Sequence, residues 1–301
     1  MHIQPPPEVH CNDRLNEVLD RMLNGPVPSL PFSRLEYLHI HGHFENFDIS
    51  ILQHFPTLVE LHLEASDRAH PPGWFDIGQL GGDFQLSSLR RLTVKNFIVH
   101  CTAGLLIMAP SVEDVTLTNT AGQTLFTANG FPTDALSQLK RLTVIPHHST
   151  IRPIPKRKYF ANILQLIEDS SLPRLEELWL NDTLQDAFVQ KRLPKLLSRV
   201  SRTLKRFSMR IHADFHTDSL AEVLRTFSAK TYSLHHLRLC NAETETLSVA
   251  AVDETWILLL AEAATRRDFP SLEVLEYYTP SLDPHHFGPG DFQDSRFFEI
   301  F

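Results

Sequence analysis

A chain of 301 residues with 42% apolar side chains has room for one large domain or two ordinary ones, and enough apolar material to bury a core. A formal charge of -8 with a pI near 6.1 argues against a general nucleic-acid binder, and no nucleic-acid partner is expected. Cys11, Cys101 and Cys240 fit no disulfide framework, the N-terminus has no apolar stretch of signal-peptide type, and the longest aliphatic run, WILLLA from Trp256, is too short to cross a bilayer. The expectation is a cytoplasmic or nuclear protein with no membrane segment.

The first element in chain order is an amphipathic helix from Asn12 to Asn24, with Leu15, Val18, Leu19 and Met22 on one face. Asn12 or Asp13 serves as its N-cap, and Gly25 then Pro26 stop it. A hexapeptide with apolar residues in places one, four and six then recurs. It appears as LEYLHI at Leu35, LVELHL at Leu58, LRRLTV at Leu89, VEDVTL at Val112 and LKRLTV at Leu139. Further on come LEELWL at Leu175, LKRFSM at Leu204, LHHLRL at Leu234 and LEVLEY at Leu272, the last with Tyr277 in the sixth place. Seven of the nine carry Ser or Pro two residues ahead: Ser33, Pro56, Ser87, Pro110, Ser137, Pro173 and Pro270. Proline cannot continue a helix and favours an extended start, while charge between buried leucines marks a half-exposed strand.

Between the hexapeptides lie helices. YFANILQLIED places Phe160, Ile163, Leu164 and Ile167 on one stripe, and SLAEVLRTF does the same with Leu220, Val223, Leu224 and Phe227 behind a Ser219/Glu222 capping box. Asp253 to about Arg267 reads as another helix. Two Pro- and Gly-rich loops are insertions, ASDRAHPPGWFDIGQLGGDFQL and IPHHSTIRPIPKRK, and the phenylalanines of the tail SLDPHHFGPGDFQDSRFFEIF are expected to fold back as a cap. A strand followed by a helix that returns the chain to a parallel neighbour is a β/α unit, and stacked units form a solenoid.

The segments SSLRRLTVKN, LPRLEELWLND and FPSLEVLEYY resemble the leucine-rich repeats of fungal F-box proteins. The resemblance covers Leu35 to Tyr278 and implies an α/β fold, a leucine-rich-repeat solenoid with a curved parallel sheet on its concave side and helices on its convex side. Repeat starts are 23 to 38 residues apart, where about 20 to 29 is usual, so the solenoid is expected to be irregular. Asn96, Asn119, Asp182 and Asn241 fall at the eighth place, where the family pattern expects Asn at the ninth. The expected division is a capping helix and linker over 1–30, a repeat domain over 31–280 and a tail or cap over 281–301. No F-box is visible, and PVPSLPFSRLEYL is a poor candidate.

Places one, four and six of each repeat point inward, and places three, five and seven line the concave face. His39 and His41 occupy places five and seven of the first strand, and His62 occupies place five of the second, beside Glu64. Imidazole is the commonest metal ligand. A concave face that must be polar accounts for these rings without a metal, so no metal and no cofactor is expected, with His39, His41 and His62 the candidates if one binds. Further along the same columns stand Trp179, Arg238 and Arg210, with Arg206 and Arg141 at place three and Tyr278 at place seven of the last repeat. Trp and Arg dominate binding hot spots, so these six are the expected partner-binding residues. From Lys191 to Arg210 eight basic residues occur with no acid among them, which suits an acidic or phosphorylated peptide as well as a solvated helix face.

No phosphate-loop, zinc-protease, paired-cysteine or nucleophile-elbow motif is present, and the adjacent pairs His147/His148, His235/His236 and His285/His286 point to opposite faces on a strand. A non-catalytic protein-binding module is expected. The resemblance implies substrate recognition for a cullin-based ubiquitin ligase, with an adaptor protein as second partner if the full-length form carries an F-box. The alternatives are a stand-alone repeat scaffold or inhibitor and, least favoured, a metal-dependent enzyme using His39, His41 and His62.

Overall fold

The structure, a computed structural model, describes residues 34–42, 44, 49–66, 84–118, 120, 131–145, 170–183, 187–212, 233–242, 271–278 and 297–299. The helices expected at 12–24, 159–169, 219–227 and 253–267, and most of the two long loops, lie outside them. The chain divides into two compact units, Met1–Ala135 and Leu136–Phe301. Among the described residues no helix is long and apolar enough to cross a membrane.

In the first unit, β1 (Tyr37–Gly42), β2 (Glu60–Ala65), β3 (Arg91–Lys95) and β4 (Asp114–Thr118) pair in chain order, all parallel. Each begins at the third place of its hexapeptide. In register, Leu38, Leu61, Leu92 and Val115 form one row and Ile40, Leu63, Val94 and Leu117 a second. All but Leu38 in these two rows are buried. Each fully buried aliphatic chain stabilises the unit by about 1.5–3 kcal/mol, so the leucine rows dominate its energetics.

The residue two places before the hexapeptide opens a turn, where the sequence suggested an extended start. Leu58 N–H donates to Phe55 O (3.1 Å), Leu89 to Leu86 (3.0 Å), Val112 to Ala109 (3.1 Å), Leu139 to Leu136 (3.1 Å) and Leu175 to Leu172 (3.4 Å). Pro56, Ser87, Pro110, Ser137 and Pro173 therefore sit second in a four-residue turn, where the fixed φ of proline is preorganised. The turn brings the preceding apolar residue, Phe55, Leu86, Ala109, Leu136 or Leu172, into the core beside the first leucine. Within each unit, successive repeats then lock together in one way: the place-two carbonyl accepts from the place-two and place-three N–H groups of the next repeat, as Glu36 O does from Val59 (2.8 Å) and Glu60 (2.9 Å).

Asn96 leaves β3 with φ 64°, the left-handed region that asparagine tolerates better than most residues, and is 3% exposed. Its Nδ2 donates to Ala65 O at 2.7 Å and its backbone N–H to Thr118 O at 2.9 Å, tying the ends of three repeats. Helix α1 (Val99–Met108), not foreseen from sequence, follows. VHCTAGLLIM is apolar nearly all round and shows no stripe, because almost every side chain in it is buried.

The second unit repeats the scheme with β5 (Arg141–Ile145), β6 (Glu177–Thr183), β7 (Arg206–His212), β8 (His236–Ala242) and β9 (Val274–Tyr278), again parallel in chain order. A short β10 (Phe297–Glu299) pairs antiparallel with β9, and the rest of the tail expected to form a cap lies outside the described residues. Helix α2 (Ala187–Val200) buries Leu193, Leu196, Leu197 and Val200 and exposes Lys195 and Arg199. Between β6 and β7 the register shifts, so that Thr183, and not the expected Asn181, stands opposite Arg210.

Candidate functional site

On the first unit, residues at alternate strand positions share a face, and parallel neighbours stand about 4.8 Å apart. His39 and His62 are register partners, and their rings stack with centroids 4.1 Å apart and planes 13° off parallel. Glu64, two residues along β2 from His62, turns its Oε2 toward both, 3.8 Å from His39 Nε2 and 3.9 Å from His62 Nε2. Its other oxygen accepts from Lys95 Nζ of β3 at 2.5 Å. The hydrogen bond from Lys95 holds the Glu64 carboxyl below its ordinary value, against the opposing pull of burial. Burial, then the neighbouring His39 ring, lowers the His62 value. The trio brought together is thus His39, His62 and Glu64; His41, expected in the cluster, faces Glu64 across the ladder and is exposed, without joining the three converging donors.

On the second unit, place three aligns Arg141, Glu177, Arg206 and His236, and place five aligns Thr143, Trp179, Ser208, Arg238 and Glu276. Glu177 accepts from Arg141 Nε at 2.9 Å, from Trp179 Nε1 at 3.4 Å and from Arg206 Nη1 at 3.5 Å. The Trp179 ring is half-buried, where the sequence suggested a largely exposed one. Ser208, next in register and 4% exposed, is small enough to leave it room, and the Arg238 guanidinium lies 6.0 Å from the ring centroid. Arg238 is itself only 6% exposed and pairs through Nε with Glu276 Oε2 at 3.5 Å.

Two residues of the basic run are compensated from the neighbouring strand. Lys205 Nζ lies 2.9 Å from Glu176 Oε2, and Arg206 meets Glu177. His235 meets Glu273 and His236 meets Glu276: the half-buried His236 places its Nε2 3.4 Å from Glu276 Oε1, without hydrogen-bond alignment. That ring is the largest influence holding the Glu276 carboxyl low, with Arg238 adding to it.

Burial pushes the Glu177 carboxyl up, but the hydrogen bond and charge of Arg141, the Trp179 N–H and the charge of Arg206 together bring it below its ordinary value. A carboxyl lowered by folding stabilises fully above its unfolded value, about 4.3, and loses that contribution as the pH falls through the folded value. Glu177→Gln is accordingly expected to cost on the order of 1 kcal/mol at neutral pH, with Arg141 and Arg206 both half-exposed. Urea unfolding at neutral pH and near pH 3 checks this: the gap between wild type and variant should shrink in acid, and a constant gap would show that Glu177 is not ionised against its arginines.

Of the six expected partner residues, Arg141, Trp179, Arg206 and Arg238 form one contiguous cluster. Arg210 and Tyr278 stand at matching register positions either side of Cys240, and their side chains lie outside the described residues. Glu177 and Glu276, which organise the cluster, were not among the expected site residues. Their signal was the full register: column three reads Arg141, Glu177, Arg206, and column five ends Arg238, Glu276. Tyr37, 51% exposed at place three of β1, is a further large apolar side chain on the strand faces that sequence reading passed over. Neither a family model nor a curated protein matches this chain.

Proposed function

We propose that this chain is a non-catalytic protein-binding module whose second unit offers the face of β5 to β9 to a protein partner. The observation carrying the reading is Trp179: a tryptophan on the polar side of a sheet, held in one orientation by Glu177 and Arg238, is a preorganised aromatic anchor ringed by charge. Arg206 is the guanidinium most readily re-paired. Its side chain is 55% exposed and its contact with Glu177 is a long 3.5 Å, so an acidic or phosphorylated segment beside the tryptophan can take it over. The resemblance of the repeats to those of fungal F-box leucine-rich-repeat proteins supports a role as the substrate receptor of a cullin-based ubiquitin ligase. A free-standing scaffold or inhibitor would use the same face.

Affinity capture with the full chain, run beside Trp179→Ala and Arg206→Ala, tests the binding face. A captured partner should be lost at least ten-fold with Trp179→Ala, equivalent to about 1.4 kcal/mol or more. Equal capture by wild type and a folded Trp179→Ala variant would remove this face from consideration. Binding of the purified ligase adaptor separates the receptor role, which requires it, from the scaffold role, which does not.

A further inference from the structure

We propose that His39, His62 and Glu64 form a three-donor site for a divalent transition-metal ion, with zinc(II) the best match. The face needs polar residues, but polarity alone does not converge three donors from two strands. One ring nitrogen each from His39 and His62 and one carboxylate oxygen of Glu64 lie within 4.8 Å of one another. Both imidazole-to-carboxylate separations, 3.8 and 3.9 Å, are too long for hydrogen bonds, which run to about 3.2 Å. The imidazole–carboxylate edges are close to what an ion needs: tetrahedral ligands at zinc–nitrogen and zinc–oxygen distances of roughly 2.0–2.1 Å stand about 3.3 Å apart, a contraction of about half an ångström on each of those two edges and of up to about 1.5 Å between the imidazoles. The two rings, stacked 13° off parallel, must also turn about their side-chain torsions so that both in-plane lone pairs meet one ion, a movement open to exposed and half-exposed side chains.

The donor types select the metal. Two imidazole nitrogens and one carboxylate oxygen suit zinc, cobalt or nickel, whereas calcium and magnesium require oxygen donors throughout. Lys95 supplies the orientation that a ligating carboxylate needs, because it occupies Oε1 and leaves Oε2 turned to the rings. Its ammonium group also repels a dication, so the site binds more weakly than a closed structural zinc centre. The fourth position opens to solvent on the side of His39, whose side chain is 39% exposed, and takes water or a donor from a partner. An ion there clips β1 to β2 at the level of their register pair His39/His62.

The test is a cobalt(II) titration of the full chain without a histidine tag, after stripping with a chelator, followed by displacement with zinc(II). One saturable equivalent with visible d–d absorption is expected. It should disappear in His62→Ala and weaken at least about ten-fold in Glu64→Gln, while His285→Ala with His286→Ala leaves it unchanged. Zinc should also raise the thermal midpoint of wild type but not of His62→Ala. Where His62→Ala fails to fold, the more exposed His39→Ala carries the same readout. Absence of saturable binding, or an identical titration in wild type and a folded ligand variant, overturns the site.

Discussion

Leu92→Ala is expected to lower the free energy of unfolding of the first unit by roughly 2–5 kcal/mol, against a change within about 0.5 kcal/mol for Thr93→Ala beside it. Leu92 is 1% exposed and sits mid-row, between Leu61 of β2 and Val115 of β4, each also buried. Truncation leaves a cavity with rigid strand backbone on both sides, so little collapse can relieve it. Thr93 points to the other face, flanked by His62 and Thr116, and loses only a methyl and a half-solvated hydroxyl. Domains are stable by about 5–15 kcal/mol in total, so the leucine variant stands a large fraction of the way to unfolding. Urea unfolding followed by circular dichroism reads both. Equal losses for the two variants would mean that the faces of β3 are not distinguished as the alternation requires.

Asn96→Ala is expected to cost roughly 2–4 kcal/mol, and Asn96→Gly about 1–3. Two effects add in the alanine variant. The Ala65 carbonyl loses the Nδ2 donor 2.7 Å away inside the unit, and a Cβ without a compensating local hydrogen bond is held at φ 64°. Glycine removes the second cost and keeps the first, so the difference between the variants isolates the backbone term. The same urea series measures them. If both variants unfold with the wild type, Asn96 does not tie β3 to its neighbours.

Much of this was legible in the hexapeptides. All nine became strands, each starting at its third place, because apolar residues at places four and six, alternating with mostly polar ones at three and five, admit one placement on a half-buried sheet. Helix α1 was not legible, since a segment such as VHCTAGLLIM, buried on nearly every side, carries no periodic signal to read. The turn opened by Pro56, Pro110 and Pro173 was half legible. Proline marked a boundary, but only the backbone showed that the apolar residue before it turns inward. Trp179 was placed on the correct strand and face, yet its half-burial depends on Ser208 one strand over and Arg238 two strands over, contributed by repeats some 30 and 60 residues away.

From sequence alone came the repeat, the inward rows and the side of the sheet on which His39, His62, Trp179 and Arg238 stand, because side-chain alternation is local and follows from backbone geometry. Tertiary structure decided the pairings. Glu177 gathers Arg141, Arg206 and Trp179, and Glu64 stands between two stacked imidazoles and Lys95. Coulombic and hydrogen-bond partners on a sheet are chosen across strands, by distances of a few ångströms that spacing along the chain does not encode.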